Sequence, residues 1–293
     1  MMRRMSLALS AALFVAAASA QEAFTIKLKE RGEGESALIT KSEAGSFSVT
    51  FVDAKGKTLT QNEKSSDIKE YIETVLKRAG AKLPTKLERE YIKAQSSKGN
   101  TVLDWPVIGK TIVIEKKNDQ YTFGLKTGET LAAPVAEALA KEFSRKSDMD
   151  TAFEKLMLPK SAVKPGDIWK LDMEPIVKDL AKSRELDVTA TNARGVGTLQ
   201  KTYQQDGRLF GVMAYQLVVP VRALGKGPKQ VKFTDGARIT IESSMDLCID
   251  GTSEAGTTKS KITITGDAML PGVVATLHIV SELVQIHQLP AKK

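Results

Sequence analysis

The sequence predicts an α+β, strand-rich fold: a large curved antiparallel sheet of meander hairpins, with about three helices in the middle of the chain. Three observations carry this expectation. Long stretches alternate apolar and polar residues, the mark of half-buried strands. Short Asp, Asn and Gly turn signals separate them, and strands joined that tightly run antiparallel. Helical periodicity is confined to the centre of the 293-residue chain.

The elements follow in order. Phe24, Ile26 and Leu28 alternate with Thr25, Lys27 and Lys29, and Phe47, Val49 and Phe51 alternate with Ser48 and Thr50. Over 68–94 two readings stay open. Ile68, Tyr71, Ile72, Val75 and Leu76 fit a helix with Asp67 and Glu70 as a capping box, while the β-branched content and the run Lys86–Ala94 fit a hairpin. Asn118-Asp119 separates Thr111–Lys116 from Gln120–Leu125. Helices are expected at Ala133–Phe143, with Pro134 in its first turn, at Asp150–Leu158, and at Glu174–Leu186.

Asp206-Gly207 then separates Leu199–Gln204 from Arg208–Val219. Ile239, Ile241, Met245, Leu247 and Ile249 alternate with Thr240, Glu242, Ser244, Asp246 and Asp250. A last run from Val273 to Leu289 is apolar on both faces, as a central strand would be. Phe123-Gly124 and Phe210-Gly211 follow similar strand–turn patterns. This echo predicts two related β halves, 21–145 and 165–293, within one domain spanning 21–293.

The first twenty residues read as a signal peptide. Arg3 and Arg4 form the basic start, Leu7 to Ala17 the apolar run, and Ala18-Ser19-Ala20 the small-x-small cleavage pattern before Gln21. The run is shorter than the about 20 apolar residues needed to cross a bilayer. No later segment approaches that length, so no transmembrane segment is expected after cleavage. Export, to the periplasm or the exterior of a bacterial cell, is the predicted destination. The single cysteine, Cys248, rules out an internal disulfide. Asn62, Asn100, Asn118 and Asn192 all lack a glycosylation context.

The search for chemistry yields no catalytic, cofactor or metal site. The two histidines, His278 and His287, have opposite parity on one strand and cannot share a metal. Ser161-x-x-Lys164, Ser66-x-x-Lys69 and Lys126-Thr127-Gly128 match pieces of the penicillin-binding signature, but the intervening Ser-Asp-Asn is missing. Cys248 lies between Asp246 and Asp250, where a thiolate is disfavoured. Asp246, Asp250 and Glu254 do not follow calcium-loop spacing. Asp148 and Asp150 suit a helix start. The basic loop Arg222–Lys232 lacks the interleaved aromatics of a single-strand binder, so nucleic acid is not an expected partner.

Two segments carry a resemblance. Val163-Lys164-Pro165-Gly166-Asp167-Ile168-Trp169 and Cys248-Ile249-Asp250-Gly251-Thr252 look like features of a group of exported bacterial β proteins. The arrangement of strand meanders around central helices behind a signal peptide is similar to the LolA-like fold of periplasmic lipoprotein carriers. That resemblance implies a curved sheet partly wrapped around helices, and no site residues. The sequence therefore points to an exported, non-catalytic protein that binds an apolar ligand such as lipid, or an envelope protein. The alternatives are a hydrolase assembled from distant acids (Asp148, Asp150, Asp167, Asp246), and a structural or assembly protein.

Overall fold

The computed structural model describes residues 22–52, 55–79, 84–118, 120–145, 156–184, 186–225, 230–270 and 273–289. They form one antiparallel sheet of fourteen strands. The first half of the chain supplies β1 (Ser36–Val52), β2 (Thr58–Arg78), β3 (Pro84–Lys98), β4 (Thr101–Asp104), β5 (Thr111–Lys117), β6 (Gln120–Leu125) and helix α1 (Ala133–Arg145). The second half supplies β7 (Ile168–Lys170), α2 (Met173–Arg184), β8 (Leu186–Val188), β9 (Arg194–Gln205), β10 (Arg208–Leu224), β11 (Val231–Phe233), β12 (Arg238–Cys248), β13 (Gly256–Leu270) and β14 (Val273–Gln288).

Neighbouring strands follow the order β6-β5-β3-β2-β1-β14-β13, then β11 and β12 side by side along β10, and finally β9 and β7. The two halves of the chain thus occupy the two halves of the sheet, and the β1–β14 pairing joins them from Leu38↔Gln288 to Phe51↔Ala275. The final run is a central strand, paired with β1 and β13, but it is not covered on both faces: Val274 is exposed, and Ile279, Val280, Leu283 and Val284 are only half-buried.

Several expectations change here. With fourteen strands and two helices among the described residues, the fold is mostly β rather than α+β with three helices. The helix expected at Asp150–Leu158 falls largely outside the described residues. The ambiguous stretch 68–94 is a hairpin of two long strands, paired from Ser65↔Lys98 to Arg78↔Pro84. Cross-strand burial of Tyr71 against Tyr91 and Val75 against Leu87 decides it, because both strands find partners that an isolated helix would lack. The alternating run Phe24–Lys29 is not a strand. It forms no ladder: its backbone meets other elements through single bridges, Phe24 to Val163 and Lys27 to Asp250, while Phe24 and Ile26 pack on the apolar core of the second half.

Turn chemistry behaves as its residues dictate. Asp206 and Gly207 both take positive φ (50° and 72°), the primed turn that matches strand twist, and close the β9–β10 hairpin. The Pro165-Gly166 turn is held by the Lys164 amide donating to Asp167 Oδ2 at 2.8 Å. It launches β7 so that Trp169 lies flat over Gly197, where any Cβ would stand 2.3 Å from the indole.

Each end of the sheet is covered by one helix. α1 packs Val135, Leu139 and Phe143 with Ile39, Leu87, Tyr91, Ile112 and Ile114. α2 packs Ile176, Val177 and Leu180 with Leu199, Met213 and Leu217. A third, small cluster joins Val49, Ala268, Ala275 and Leu277. Between these clusters the long strands turn polar: β1 gives Ala37 and Ile39 to one cluster and Val49 to another, and none of residues 40–48 joins any.

Candidate functional site

Two places combine geometry with chemistry. The first is the polar waist of the sheet. Register brings Ser97 beside Ser66, Ser65 beside Gly45, Gly45 beside Ser281, Glu282 beside Lys261, and Lys261 beside Glu242. Small hydroxylated residues therefore cross the strands where no helix covers them. Two open grooves lie along this band. One, of ≈ 410 Å³, is lined by Ala214, Tyr215, Leu283 and Val284 as well as by Glu242 and Lys261. The second, of ≈ 350 Å³, is lined by Gly45, Ser46, Lys64, Ser65 and Ser97. Glu282 borders both, and pairs with Lys261 at 3.2 Å in an exposed contact. Such a pair is worth little to stability and stays available to a partner.

The second place is a buried ionic network under α1. Arg89 is fully buried on β3, opposite Glu73 on β2. Its Nε donates to Glu73 Oε2 at 2.6 Å, and its Nη1 donates to Glu142 Oε1 on α1 at 2.9 Å. The guanidinium lies 4.4 Å from the Tyr71 ring centre and 4.9 Å from that of Phe143. Lys69 reaches Glu142 at 3.4 Å while standing over Trp105. Arg31, from the N-terminal segment, donates to Glu73 Oε1 at 2.8 Å and approaches Glu254 at 2.5 Å.

The electrostatics follow from burial. Desolvation alone would pull Arg89 down, but Glu142 and Glu73 outweigh it and hold the guanidinium well above its ordinary value. Arg31 is raised in the same way against burial, by Glu73 and Glu254. Burial raises Glu254 despite Arg31, and pushes the Tyr71 hydroxyl well up. Every cation here faces a carboxylate at contact distance. The network can lock β2, β3, α1 and the N-terminal segment together, but it offers no poised base beside an accessible cleft.

The residues singled out in the sequence scatter. His278 is exposed and His287 is half-buried beside Gln285. Ser66 shares a hydrogen bond with Ser97, Lys69 serves Glu142, and Lys126 pairs with Glu88, so the penicillin-binding pattern does not assemble. Asp167 caps its own turn. Asp246 accepts from Tyr203 Oη at 2.7 Å, and burial together with Asp246 pushes that hydroxyl up to about 12. Asp250 accepts from the Thr252 hydroxyl and from the Leu209 and Thr252 amides, which hold its carboxyl far below the usual range. Cys248 is buried and donates to Asp250 Oδ1. Asp246, Asp250 and Glu254 thus share no partner. Among the described residues, no group of three His, Cys, Asp or Glu is placed to hold a metal ion. Ala18, Ala20, Asp148, Asp150 and the centre of the Arg222–Lys232 loop lie outside the described residues, as does Gln21.

Arg89, Glu73, Glu142 and Arg31 carry no motif, and sequence reasoning passes over them. One signal was present: Glu73 and Arg89 share the parity of Tyr71, Val75, Leu87 and Tyr91, which places charge on a buried face.

These features define an all-antiparallel sheet protein with two helix-covered ends, a polar waist and one buried ionic centre. No protein-family model matches the chain, and no curated protein matches it. Solved structures with which it shares some likeness include an outer membrane channel from Pseudomonas putida F1, 8% identical over 91% of this chain and 100% of that one, with a TM-score of 0.15. A substituted porin of Rh. blastica is 9% identical over 85% of this chain and 100% of that one, at a TM-score of 0.13. At these scores the likeness supports neither a shared fold nor a shared role. Among the described residues, no helix is long and apolar enough to cross a membrane.

Proposed function

We propose that this chain is an exported, non-catalytic envelope protein that binds a protein partner across the polar waist of its sheet. One observation carries the reading: the helices fill the apolar ends of the sheet with the chain's own side chains, and open grooves remain over the middle, lined by Ala214, Tyr215, Leu283 and Val284 together with serine, lysine and glutamate. Apolar side chains interleaved with hydroxyls and charges of both signs suit a protein surface, whose own polar groups can pair with them, better than an acyl chain, which would leave them without hydrogen bonds. The test is site-specific photo-crosslinking in the cell envelope from Ser244 and Lys64, which register places on the same face as Lys261, with exposed Thr101 as control. A discrete adduct at both groove positions, absent from the control and lost in Lys261→Glu, is expected. Equal labelling at all three positions refutes the reading.

Export rests on the first twenty residues. N-terminal sequencing of the protein from fractionated cells should begin at Gln21, and a chain retaining its leader in the cytoplasm would defeat the proposal. Binding of an apolar ligand is the second reading, favoured by Ala214, Tyr215, Leu283 and Val284 in the lining of the first groove; the expected likeness to lipoprotein carriers is not among the structural neighbours found. Native mass spectrometry of the purified protein decides it, since a stoichiometric lipid adduct would displace the protein-partner reading. The two β halves, 21–145 and 165–293, are proposed as related units on either side of the β1–β14 pairing.

A further inference from the structure

Where the β1–β2 and β13–β14 hairpins end, the sheet is apolar on both faces. Register sets the last residues of five strands side by side there. On one face a rung reads Leu59, Phe51, Ala275, Ala268 and Phe233, across β2, β1, β14, β13 and β11. Phe51, Ala275, Ala268 and Phe233 belong to the small third cluster, to which neither helix contributes. The next rung outward, on the opposite face, reads Thr58, Val52, Val274, Met269 and Lys232. Val52, Val274 and Met269 are 50%, 51% and 59% exposed. Two residues further in on that open face the row turns polar. Thr50 and Thr60 share a hydrogen bond at 3.1 Å, and Thr276 donates to Asp267 Oδ1 at 2.6 Å. The β1–β2 turn carries exposed Lys55 and Lys57 against one acid, Asp53, and exposed Lys232 ends the row on its other side.

We propose that this rim is a docking surface for an anionic lipid bilayer. Large apolar side chains scattered singly over a surface call for no partner, but three in one row form a patch. The patch crosses the ends of two neighbouring hairpins, so a flat layer meets it edge-on and needs no shaped pocket. The apolar margin is two residues deep, about 7 Å at the rise of a strand, within the about 5–10 Å that interfacial elements bury. The threonines behind it then stand among the headgroups, where their hydroxyls keep hydrogen bonds. Lys55, Lys57 and Lys232 flank the row on both sides and meet lipid phosphates, supplying the attraction that so small an apolar margin needs. Lipid can enclose both faces of a sheet end, whereas a protein surface covers one. Neither waist groove includes a rim residue, so failure of this proposal leaves the waist reading as it stands.

The experiment floats the full mature chain with vesicles of phosphatidylcholine carrying about 30% phosphatidylglycerol. Wild type should rise with these vesicles, and about 0.5 M salt should weaken binding by about tenfold or more. The triple variant Val52→Ser, Met269→Ser, Val274→Ser keeps every charge and should bind about tenfold or more weakly. Lys55→Gln, Lys57→Gln and Lys232→Gln together should abolish the preference over pure phosphatidylcholine. A polarity-sensitive fluorophore on Val274→Cys should shift to the blue on the vesicles, and one on Thr101→Cys should not; Cys248 is buried and stays unlabelled. If the serine variant does not fold, the two fluorophore positions decide alone. A wild-type chain that stays in the soluble fraction, equal flotation of the serine variant, or equal shifts at Val274 and Thr101 overturns the proposal. A discrete protein adduct crosslinked from Val274, without flotation, overturns it too.

Discussion

The two ends of the sheet solve one packing problem with different chemistry. Under α2 the buried face is almost wholly apolar: Ile176, Leu180, Leu199, Met213 and Leu217, with Trp169 set edge-on to Tyr215. Under α1 a guanidinium sits at the centre, flanked by two carboxylates and aromatic rings. The apolar end accepts many side-chain combinations of the right volume. The ionic end accepts few, because each charge needs its partner at a set place, so it specifies how α1 docks and where the N-terminal segment lies. The difference teaches that buried charge here provides positional information more than net stability.

The largest expected effect breaks the ionic end alone. Arg89→Ala should cost about 3–5 kcal/mol in urea unfolding, because Glu73 and Glu142 stay buried without their shared cation. Replacing the triad, as Glu73→Leu, Arg89→Met and Glu142→Leu together, should recover part of that loss, since Arg31 keeps only Glu254 and Lys69 loses its carboxylate. A triple variant as unstable as the single would show that the network supplies stability as well as position. The apolar end answers to volume instead. Leu199→Ala should cost about 2–5 kcal/mol by the same assay, with no partner substitution that rescues it except one restoring bulk.

Gly197→Ala should cost about 1–3 kcal/mol, since its methyl group has to displace the Trp169 ring. A shifted tryptophan emission spectrum would accompany that change. Smaller still is the effect of acid on the loop after β12. The Asp250 carboxyl is held far below its ordinary range in the folded chain, so its contribution is present above that range and lost as pH falls through the folded value. The melting difference between wild type and Asp250→Asn should be constant from pH 7 to 5 and shrink below about pH 4. At the waist, Ser243→Ala should change unfolding by less than about 0.5 kcal/mol, because the residue packs in no core cluster.

Much of the sheet was legible one strand at a time. Ile239–Ile249 and Val273–Leu289 show their alternation or their two apolar faces directly, and Asp206-Gly207 announces its turn. The 68–94 stretch was not legible, since Ile68, Tyr71, Ile72, Val75 and Leu76 satisfy both helical and strand spacing until β3 is laid beside them. Phe24–Lys29 misled in the opposite sense: alternation records which side chains are buried, and an extended segment lying on a core buries alternate residues as a strand does. The waist was invisible because serines and glycines scattered over six strands form a band only once register aligns them.

By itself, the sequence determined the local conformations: which residues extend, where the chain turns, and that one cysteine leaves stability to packing. Tertiary structure alone decided which charges are buried together. The parity of Glu73 and Arg89 places them on a buried face, but nothing local shows that they meet each other, Arg31, Glu142 and Glu254 until the strands pair. Backbone preference acts over a few residues, whereas charge pairing depends on register and docking across the whole sheet.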